Sequence, residues 1–196
     1  MVPVPSWGRH YIVSAFSPRS IGDVQVVRIL ASEDGTEVST IPPQPGAQEV
    51  ALQRGGFIDL VSGESFEVRA TAPVLVGQFM VGATHPGAGN MGDPAFTLAV
   101  SIEQWRQDYI FLTPQSFEFD HINIVATTGT EVFLDGRGLQ GWEPVGDGTY
   151  SELRRSVADG PHTMTSTSPF SVTVYGYGRH VSYAYPGGLN LSNLTD

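Results

Sequence analysis

Short apolar segments recur along the whole chain, and in many of them apolar and polar residues alternate. Residues 24–30, 65–70 and 121–126 follow this alternation, whereas residues 73–81 are apolar almost throughout. Alternation with a period of two is typical of a strand with one buried face, and a continuous apolar run is typical of a strand buried on both faces. Turn-forming clusters separate these segments; they lie at Glu33–Gly35, Arg54–Gly56, Ser62–Glu64, Thr128–Thr130, Asp135–Gly138, Gly146–Gly148 and Asp159–Pro161.

The pattern predicts an all-β protein. The only segment with helical character covers residues 102–106, which is about one helical turn. Strands do not alternate with long helices, so a parallel sheet of the kind that binds nucleotides is not predicted.

Three pairs of similar segments occur in the same order in both halves of the chain. Tyr11-Ile-Val and Tyr109-Ile-Phe lie 98 positions apart, and the tetrapeptide Gly-Thr-Glu-Val occurs at residues 35–38 and again 94 positions later. Ala72-Pro-Val-Leu-Val resembles a segment 96 positions further on. The nearly constant spacing predicts two tandem, related antiparallel β-sandwich modules packed together. We expect the first module at residues 1–82, a junction loop and short helical turn at 83–107, and the second module at 108–196.

Composition then limits the chemistry. The 196 residues include neither lysine nor cysteine, and 40% of them are hydrophobic, which is enough for a sizeable core. Without lysine, Schiff-base chemistry and the P-loop are excluded. Without cysteine, thiol nucleophiles, disulfides, zinc–thiolate sites and iron–sulfur clusters are excluded.

The chain is also acidic, with a formal net charge of −10. An acidic surface repels phosphate backbones and anionic lipids, so neither a nucleic-acid nor a membrane-surface partner is expected. No apolar run approaches the roughly 20 residues of a membrane helix, so membrane insertion is not expected. The first nine residues lack the layout of a signal peptide. The protein is therefore either cytosolic or, the interpretation we favour, a sequence from which targeting segments are missing.

A search for catalytic and metal-binding motifs yields little. Gly-x-Ser-x-Gly and His-Glu-x-x-His are absent, and the five histidines show no pairing typical of metal ligands. Asp93, Asp120 and Asp135 are carboxylates that could converge on a cation, but the ligand spacing of a calcium loop is absent. The 20 acidic residues contain no pair that stands out as the two carboxylates of a glycoside hydrolase. We therefore expect no cofactor, no metal and no enzymatic activity.

Residues 81–95 form the longest stretch rich in Gly and Pro. Loops longer than about 12 residues in compact folds are usually functional or connecting segments. This stretch either carries the chain from one module to the next or faces a ligand with His85, Asn90 and Asp93.

Aromatic residues are the strongest candidates for a binding surface. Tyr175 and Tyr177 share one face of a strand, and Tyr183 and Tyr185 share one face of the next segment. A hairpin between the two segments would line up the four rings as a ladder. Tyrosine ladders suit sugars and protein surfaces; the structural alternative is a cross-strand core or a contact between the modules.

Three further residues belong to this prediction. Arg179 and His180 would lie at the tip of the tyrosine hairpin, and Trp142 lies in a Gly-rich segment that reads as an exposed hairpin tip. We therefore predict ligand-binding roles for these three and for the four tyrosines. Trp105 is instead expected to fill the junction between the modules.

Several segments occur in a recognisable order, and they lie at 92–95, 103–105, 109–111, 121–126, 160–164, 169–177 and 182–188. Their order resembles the IgGFc-binding protein N-terminal domain family. The resemblance covers most of the chain, is strongest over residues 72–189, and rests mainly on structural motifs. That family is named for a mucus-associated animal protein and includes many bacterial surface and secreted proteins; the lysine-free composition fits its bacterial branch, and the lack of cysteine departs from the secreted animal members.

The resemblance implies a non-catalytic binding or adhesion module of a bacterial surface or secreted protein, located outside the cell or on its surface. Its partner would be a protein or a glycan. Two alternatives are a structural spacer or self-assembling surface-filament subunit, and a carboxylate-based glycoside hydrolase.

Overall fold

The computed structural model describes residues 2–194, so the outermost residues of the two expected modules, Met1, Thr195 and Asp196, lie outside the described part. Within this range the chain is nearly all β, with two curled antiparallel sheets packed together. The prediction of an all-β fold with two tandem antiparallel β-sandwich modules packed together is confirmed.

The first sheet has seven strands in the order β4-β3-β6-β2-β5, and β1 and β7 also pair with β6. These strands are β1 (Gly8–Val13), β2 (Gln25–Ala31), β3 (Thr36–Ile41), β4 (Val50–Leu52), β5 (Phe57–Ser62), β6 (Phe66–Met80) and β7 (Phe96–Leu98). β7 lies inside the segment expected to be a junction and adds a strand to the first sheet.

The second sheet has eight strands in the order β11-β10-β14-β9-β13-β12, and β8 and β15 also pair with β14. These strands are β8 (Arg106–Thr113), β9 (Phe119–Thr127), β10 (Val132–Leu134), β11 (Arg137–Gly138), β12 (Glu143–Val145), β13 (Tyr150–Val157), β14 (Gly160–Gly178) and β15 (Val181–Pro186). The strand order repeats that of the first sheet, with β12 as an addition at one edge.

A long bent strand gives each module its two layers. The N-terminal part of β6 pairs with β3 and β1, and its C-terminal part, after Pro73, pairs with β2 and β7. β14 behaves in the same way around Pro169, with β8 and β10 before the bend and β9 and β15 after it. Proline cannot donate to the sheet ladder, so it suits a point where a strand changes layer. We call the part before the bend the first layer and the part after it the second layer.

In the part of the chain that the structure describes, helical structure is limited to three short 3-10 helices at Val4–Ser6, Pro86–Ala88 and Ile102–Gln104. The third lies in the stretch that the sequence predicts as a helical turn. Among residues 2–194 there is no helix with the length and apolar character needed to cross a bilayer.

Each module has its own apolar core between its layers. In the first, Tyr11 and Val13 from the first layer pack with Val27 and Ile29 from the second. In the second, buried residues on the strands of both layers form the same kind of cluster; they include Phe111, Ile122, Ile124, Met164, Val172 and Val174. The alternating segments of the sequence thus place their apolar residues in these cores.

Apolar residues also fill the contact between the modules. Ile12 from the first module packs with Val125 and Val145 from the second, and Trp105 lies among them with 6% of its surface exposed. A second cluster joins Phe16 to residues of β14. Trp105 therefore lies where the sequence places it, at the junction.

Candidate binding site

The tyrosine-rich segments form the expected hairpin. β14 and β15 are antiparallel, with Tyr177 opposite Ser182 and Gly178 opposite Val181. Arg179 and His180 make the turn and are exposed, and His180 has a left-handed backbone with φ of 59°.

The four tyrosine rings do not share one face, so the single ladder predicted from the sequence is wrong. Tyr183 lies opposite Gly176, and Tyr185 lies opposite Val174. Because directly opposed residues point to the same face, Tyr183 and Tyr185 lie on the opposite side of the hairpin from Tyr175. The second pair stacks with ring centroids 6.0 Å apart.

Tyr175 and Tyr177 take the structural alternative, a contact between the modules. The Tyr175 hydroxyl donates to Asn123 Oδ1 at 2.7 Å and accepts from the Ser17 backbone N–H at 2.8 Å. Its ring packs against Phe16 at 4.9 Å. Burial raises the pKa of Tyr175 to about 12. This residue therefore stabilises the junction, because its hydroxyl and ring are both occupied within the protein.

Tyr183 and Tyr185 fasten β15 to its neighbours. The Tyr183 hydroxyl donates to Asp120 on β9. The Tyr185 hydroxyl donates to the Leu112 carbonyl at 2.5 Å and accepts from the Leu112 N–H at 3.2 Å. Burial raises the pKa of Tyr183, and the nearby carboxylate of Asp120 raises it further.

Beside the hairpin, the two modules leave an open cleft of about 230 Å³. Four parts of the chain line it: the β1–β2 connection, the junction loop, the start of β9 and the end of β14. The lining residues are Ser17, Pro18, Arg19, Met91, Phe119, His121 and Tyr177. The cleft is thus built from both modules, and a ligand in it would contact both.

Arg19 holds the wall of the cleft together. Its guanidinium makes two hydrogen bonds to the Asp23 carboxylate, at 2.8 and 2.7 Å, and its Nη1 donates to the carbonyls of Val81 and Met91, both at 2.9 Å. The same group lies 5.1 Å from the centre of the Tyr177 ring. Because these partners occupy the guanidinium, Arg19 positions the loop that carries Met91 and does not offer a free charge.

The floor of the cleft is aromatic. His121 stacks on Tyr175 at 5.4 Å, and burial lowers the pKa of its imidazole, which favours the neutral form. Phe119, two residues earlier on the same face of β9, is 54% exposed. The cleft therefore presents apolar ring surface with one neutral imidazole, an arrangement suited to an apolar or aromatic side chain.

The junction loop connects the modules and also forms one wall of this cleft. The Gly92 N–H donates to the Gly178 carbonyl at 2.8 Å, and the Asp93 N–H donates to Ser182 Oγ at 2.9 Å. His85 accepts from the Gly87 N–H within the loop. Met91 lines the cleft, but His85, Asn90 and Asp93 are not among the lining residues.

Trp142 lies apart from the cleft. It is half-buried and packs with Leu139 against the core of the second module. Arg179 and His180 instead form the hairpin turn and are separated from Tyr177 only by Gly178. The structure thus gathers Tyr177, Arg179 and His180 at one end of the hairpin and leaves Trp142 outside this group.

Sequence reasoning missed Arg19, Met91, Phe119 and His121 as lining residues. Phe119 and His121 occupy alternate positions with Asp120 between them, and this pattern shows that the two side chains share a face of β9. The sequence did not show that this face borders the other module.

Two carboxyl groups lie close together near β15. Asp120 is 4% exposed, and burial raises its pKa, as does the neighbouring carboxyl of Asp159. Among residues 2–194, no group of three or more His, Asp or Glu side chains is placed to hold a metal ion.

Comparisons with known proteins give a structural neighbour and a family. No curated protein matches the chain. Among solved structures, an anti-sigma factor domain-containing protein is similar over 91% of this chain and 82% of its own, at 10% sequence identity and a TM-score of 0.25. The family model described as IgGFc binding protein matches residues 1–176, so the chain belongs to that family.

Proposed function

We propose that the chain is a non-catalytic binding module that takes a protein partner in the cleft between its two modules. The observation that carries the proposal is the aromatic floor of this cleft, in which the ring of Phe119 is exposed. Aromatic residues in a pocket are typical of the few positions that dominate protein–protein binding.

The size and chemistry of the cleft favour a protein over a glycan. A volume of about 230 Å³ is smaller than the roughly 300–1,000 Å³ of sites for drug-sized molecules, and it fits an inserted side chain. The description of the family also names a protein ligand, the Fc part of IgG. Arg179 and His180 in the adjacent turn would contact polar groups of the same partner.

The alternative of a carboxylate-based glycoside hydrolase has less support. Such an enzyme needs two carboxyl groups on opposite sides of a bound sugar. Asp120, the carboxyl group with a raised pKa, is 4% exposed and accepts the hydrogen bond of Tyr183. Its position within the fold favours a structural role.

Membership of the family also favours a place outside the cell or on its surface. Within the described residues, each module packs a continuous apolar cluster between its layers, and this packing stabilises the module without a disulfide. We assign the chain to a secreted or surface protein on this basis.

We further infer that the two modules are repeats of one unit, with the first at residues 1–82, the second at 108–196 and the junction between them. Support comes from the matching strand orders and from two tyrosines. Tyr11 accepts from the Gly8 N–H and donates to Val74, and Tyr109 accepts from the Arg106 N–H and donates to Phe170. Each hydroxyl thus ties the start of an edge strand to the residue after the bend proline.

Binding to an immobilised Fc fragment of IgG, with a glycan array in parallel, tests the proposed function. We expect the wild-type chain to bind the Fc fragment and the Phe119→Ser variant to bind at least tenfold more weakly, because the exposed ring is removed. Phe133→Ser, which changes a 37%-exposed ring on β10, serves as the matched control and should bind like wild type. Equal loss in both variants, or binding to glycans alone, would overturn the assignment of the cleft.

A further inference from the structure

The contact between the modules uses one layer of each. The outer face of the first layer of the first module contributes Ile12, which packs with Val125 on the outer face of the second layer of the second module. Next to this pair, Ser14 Oγ donates to Glu152 at 2.5 Å, and Asn123 Nδ2 donates to the Ala15 carbonyl at 2.8 Å. The contact is therefore head-to-tail, since unlike faces of the two modules meet.

Each module has both kinds of face, but the internal contact uses only one face of each module. One face of the first module and one face of the second module therefore lie outside this contact. Tyr11 and Tyr109 occupy equivalent positions, which makes Ile110 the counterpart of Ile12. Ile12 is 6% exposed, whereas Ile110 is 80% exposed. The face that the first module uses for the internal contact is thus open to solvent in the second module.

The same comparison holds for the other face. Val74 and Phe170 are equivalent, because each accepts the hydrogen bond of the tyrosine hydroxyl at the bend. Leu30 pairs with Leu75, the residue after Val74, and Val125 pairs with Ser171, the residue after Phe170. Leu30 is therefore the counterpart of Val125, and it lies on the outer face of the second layer of the first module. Val125 is 4% exposed in the internal contact, whereas Leu30 is half-buried and Phe57, directly opposite it on β5, is 51% exposed.

The exposed part of this face of the first module, which we call the aromatic face, carries exposed apolar residues on its two outer strands, β5 and β7. Phe57, Val61 and Phe96 are 51%, 65% and 47% exposed. At its centre, Arg28 pairs with Asp59 at 2.7 Å, and the guanidinium lies 4.1 Å from the centre of the Phe57 ring. Aromatic side chains and arginine are the residues enriched at the centres of protein interfaces.

The uncovered face of the second module, which we call the aliphatic face, lies on β8. Ile110 and Leu112 point outward and are 80% and 59% exposed, although they belong to a strand whose inner residues are buried. The neighbouring pair of Arg106 and Asp108, at 3.0 Å, leaves this part of the face without net charge. The ion pair of the aromatic face is also neutral, so the two faces do not repel one another despite the acidic chain.

We propose that the aliphatic face of one copy of this chain packs on the aromatic face of a second copy, in the arrangement that joins the two modules within one copy. Burial of exposed apolar residues is the driving force, as it is for the internal contact. Because unlike faces meet, each added copy leaves one face of each kind free, and association continues as an open chain of copies. The proposal rests on the strand register and is independent of partner binding in the cleft.

Sedimentation at increasing protein concentration tests the proposal. We expect the wild-type chain to form species that grow with concentration and show no plateau at a dimer. Ile110→Asp places a charge in the aliphatic face, and Val61→Asp places one in the aromatic face. Both positions are exposed, so both variants should keep the fold, as circular dichroism can show. Each variant alone should be monomeric at concentrations where the wild type associates.

A mixture of the two variants gives the decisive measurement. Ile110→Asp keeps an intact aromatic face, and Val61→Asp keeps an intact aliphatic face, so an equimolar mixture should form a heterodimer that grows no further. Phe119→Ser, in the cleft, serves as the control and should associate like wild type. A wild-type chain that remains monomeric throughout, or a single variant that still associates by itself, would overturn the proposal. Neither result bears on the binding of a partner in the cleft.

Discussion

Asp120 lies at the start of β9, and the fold surrounds its carboxyl group almost completely. It is 4% exposed, it accepts a hydrogen bond from Tyr183, and it lies near the carboxyl of Asp159. Burial raises the pKa of Asp120 most, the interaction with Asp159 adds to the rise, and the Tyr183 hydrogen bond opposes it. The folded state therefore holds a proton on Asp120 more tightly than the unfolded chain does.

This raised pKa predicts a pH dependence of stability. Because the folded pKa lies above the unfolded value, the contribution of Asp120 is fully present below the unfolded pKa and is lost as the pH rises through the folded pKa. Asp120→Asn remains neutral and keeps an acceptor for Tyr183. The free energy of unfolding of this variant, relative to wild type, should therefore increase between acidic and neutral pH in urea titrations.

Glu118→Gln is the matched control for this titration. It replaces a carboxyl by an amide in the same way two residues earlier, at an exposed position, and shows what the replacement alone does to stability. If the Asp120→Asn difference does not change with pH, the carboxyl of Asp120 titrates in the fold as it does in the unfolded chain.

Among the elements of the fold, the long bent strands are the most predictable from sequence. The apolar run after Pro73 and its counterpart after Pro169 are recognisable as strands that enter a core directly after a bend. The β14–β15 hairpin is equally predictable from its turn. The orientation of its tyrosines is not, because a shift of one residue in register moves every ring to the other face. In the structure, Gly176 lies opposite Tyr183, and this register places the Tyr183 ring on the other face from Tyr175.

The hydroxyl of Tyr109 holds the bend in β14 and gives a prediction for this element. Its bonds to the Arg106 N–H and the Phe170 carbonyl lie in a buried region. Tyr109→Phe leaves these two backbone groups without that partner and should lower the free energy of unfolding by about 1–3 kcal/mol. Tyr150→Phe, at a half-buried tyrosine, should change it by less than about 0.5 kcal/mol. If urea titrations show similar losses in the free energy of unfolding for the two variants, the Tyr109 hydroxyl does not hold the bend.

At the scale of the whole molecule, the sequence could not predict which outward-facing polar residues are buried between the modules. Asn123 alternates with apolar residues on β9, a pattern that reads as solvent-facing, but it is 2% exposed and donates to the Ala15 carbonyl. Glu152 is likewise buried, and it accepts from Ser14 and from Ser65. Alternation shows which side chains point away from the core of their own module. It carries no information on whether water or another module covers them.

The covered polar residues predict that the two modules unfold together. Separation of the modules would remove the hydrogen bonds that Asn123 and Glu152 make to the first module and would expose the apolar cluster around Trp105, and each of these changes costs free energy. Intermediates with one folded module should therefore not accumulate, and different probes should report one transition.

The three tryptophans of the chain provide the probes. In Trp105→Phe combined with Trp142→Phe, fluorescence reports on Trp7, which precedes β1 in the first module. In Trp105→Phe combined with Trp7→Phe, it reports on Trp142, which packs against the core of the second module. Both variants carry the same change at the junction, so their stabilities differ only through the changes at Trp7, which is buried, and at Trp142, which is half-buried. Urea transitions followed by fluorescence and by circular dichroism should coincide within each variant. A fluorescence transition that precedes the loss of β structure in one variant would instead show that its module unfolds alone, and that the junction is weaker than its buried polar bonds imply.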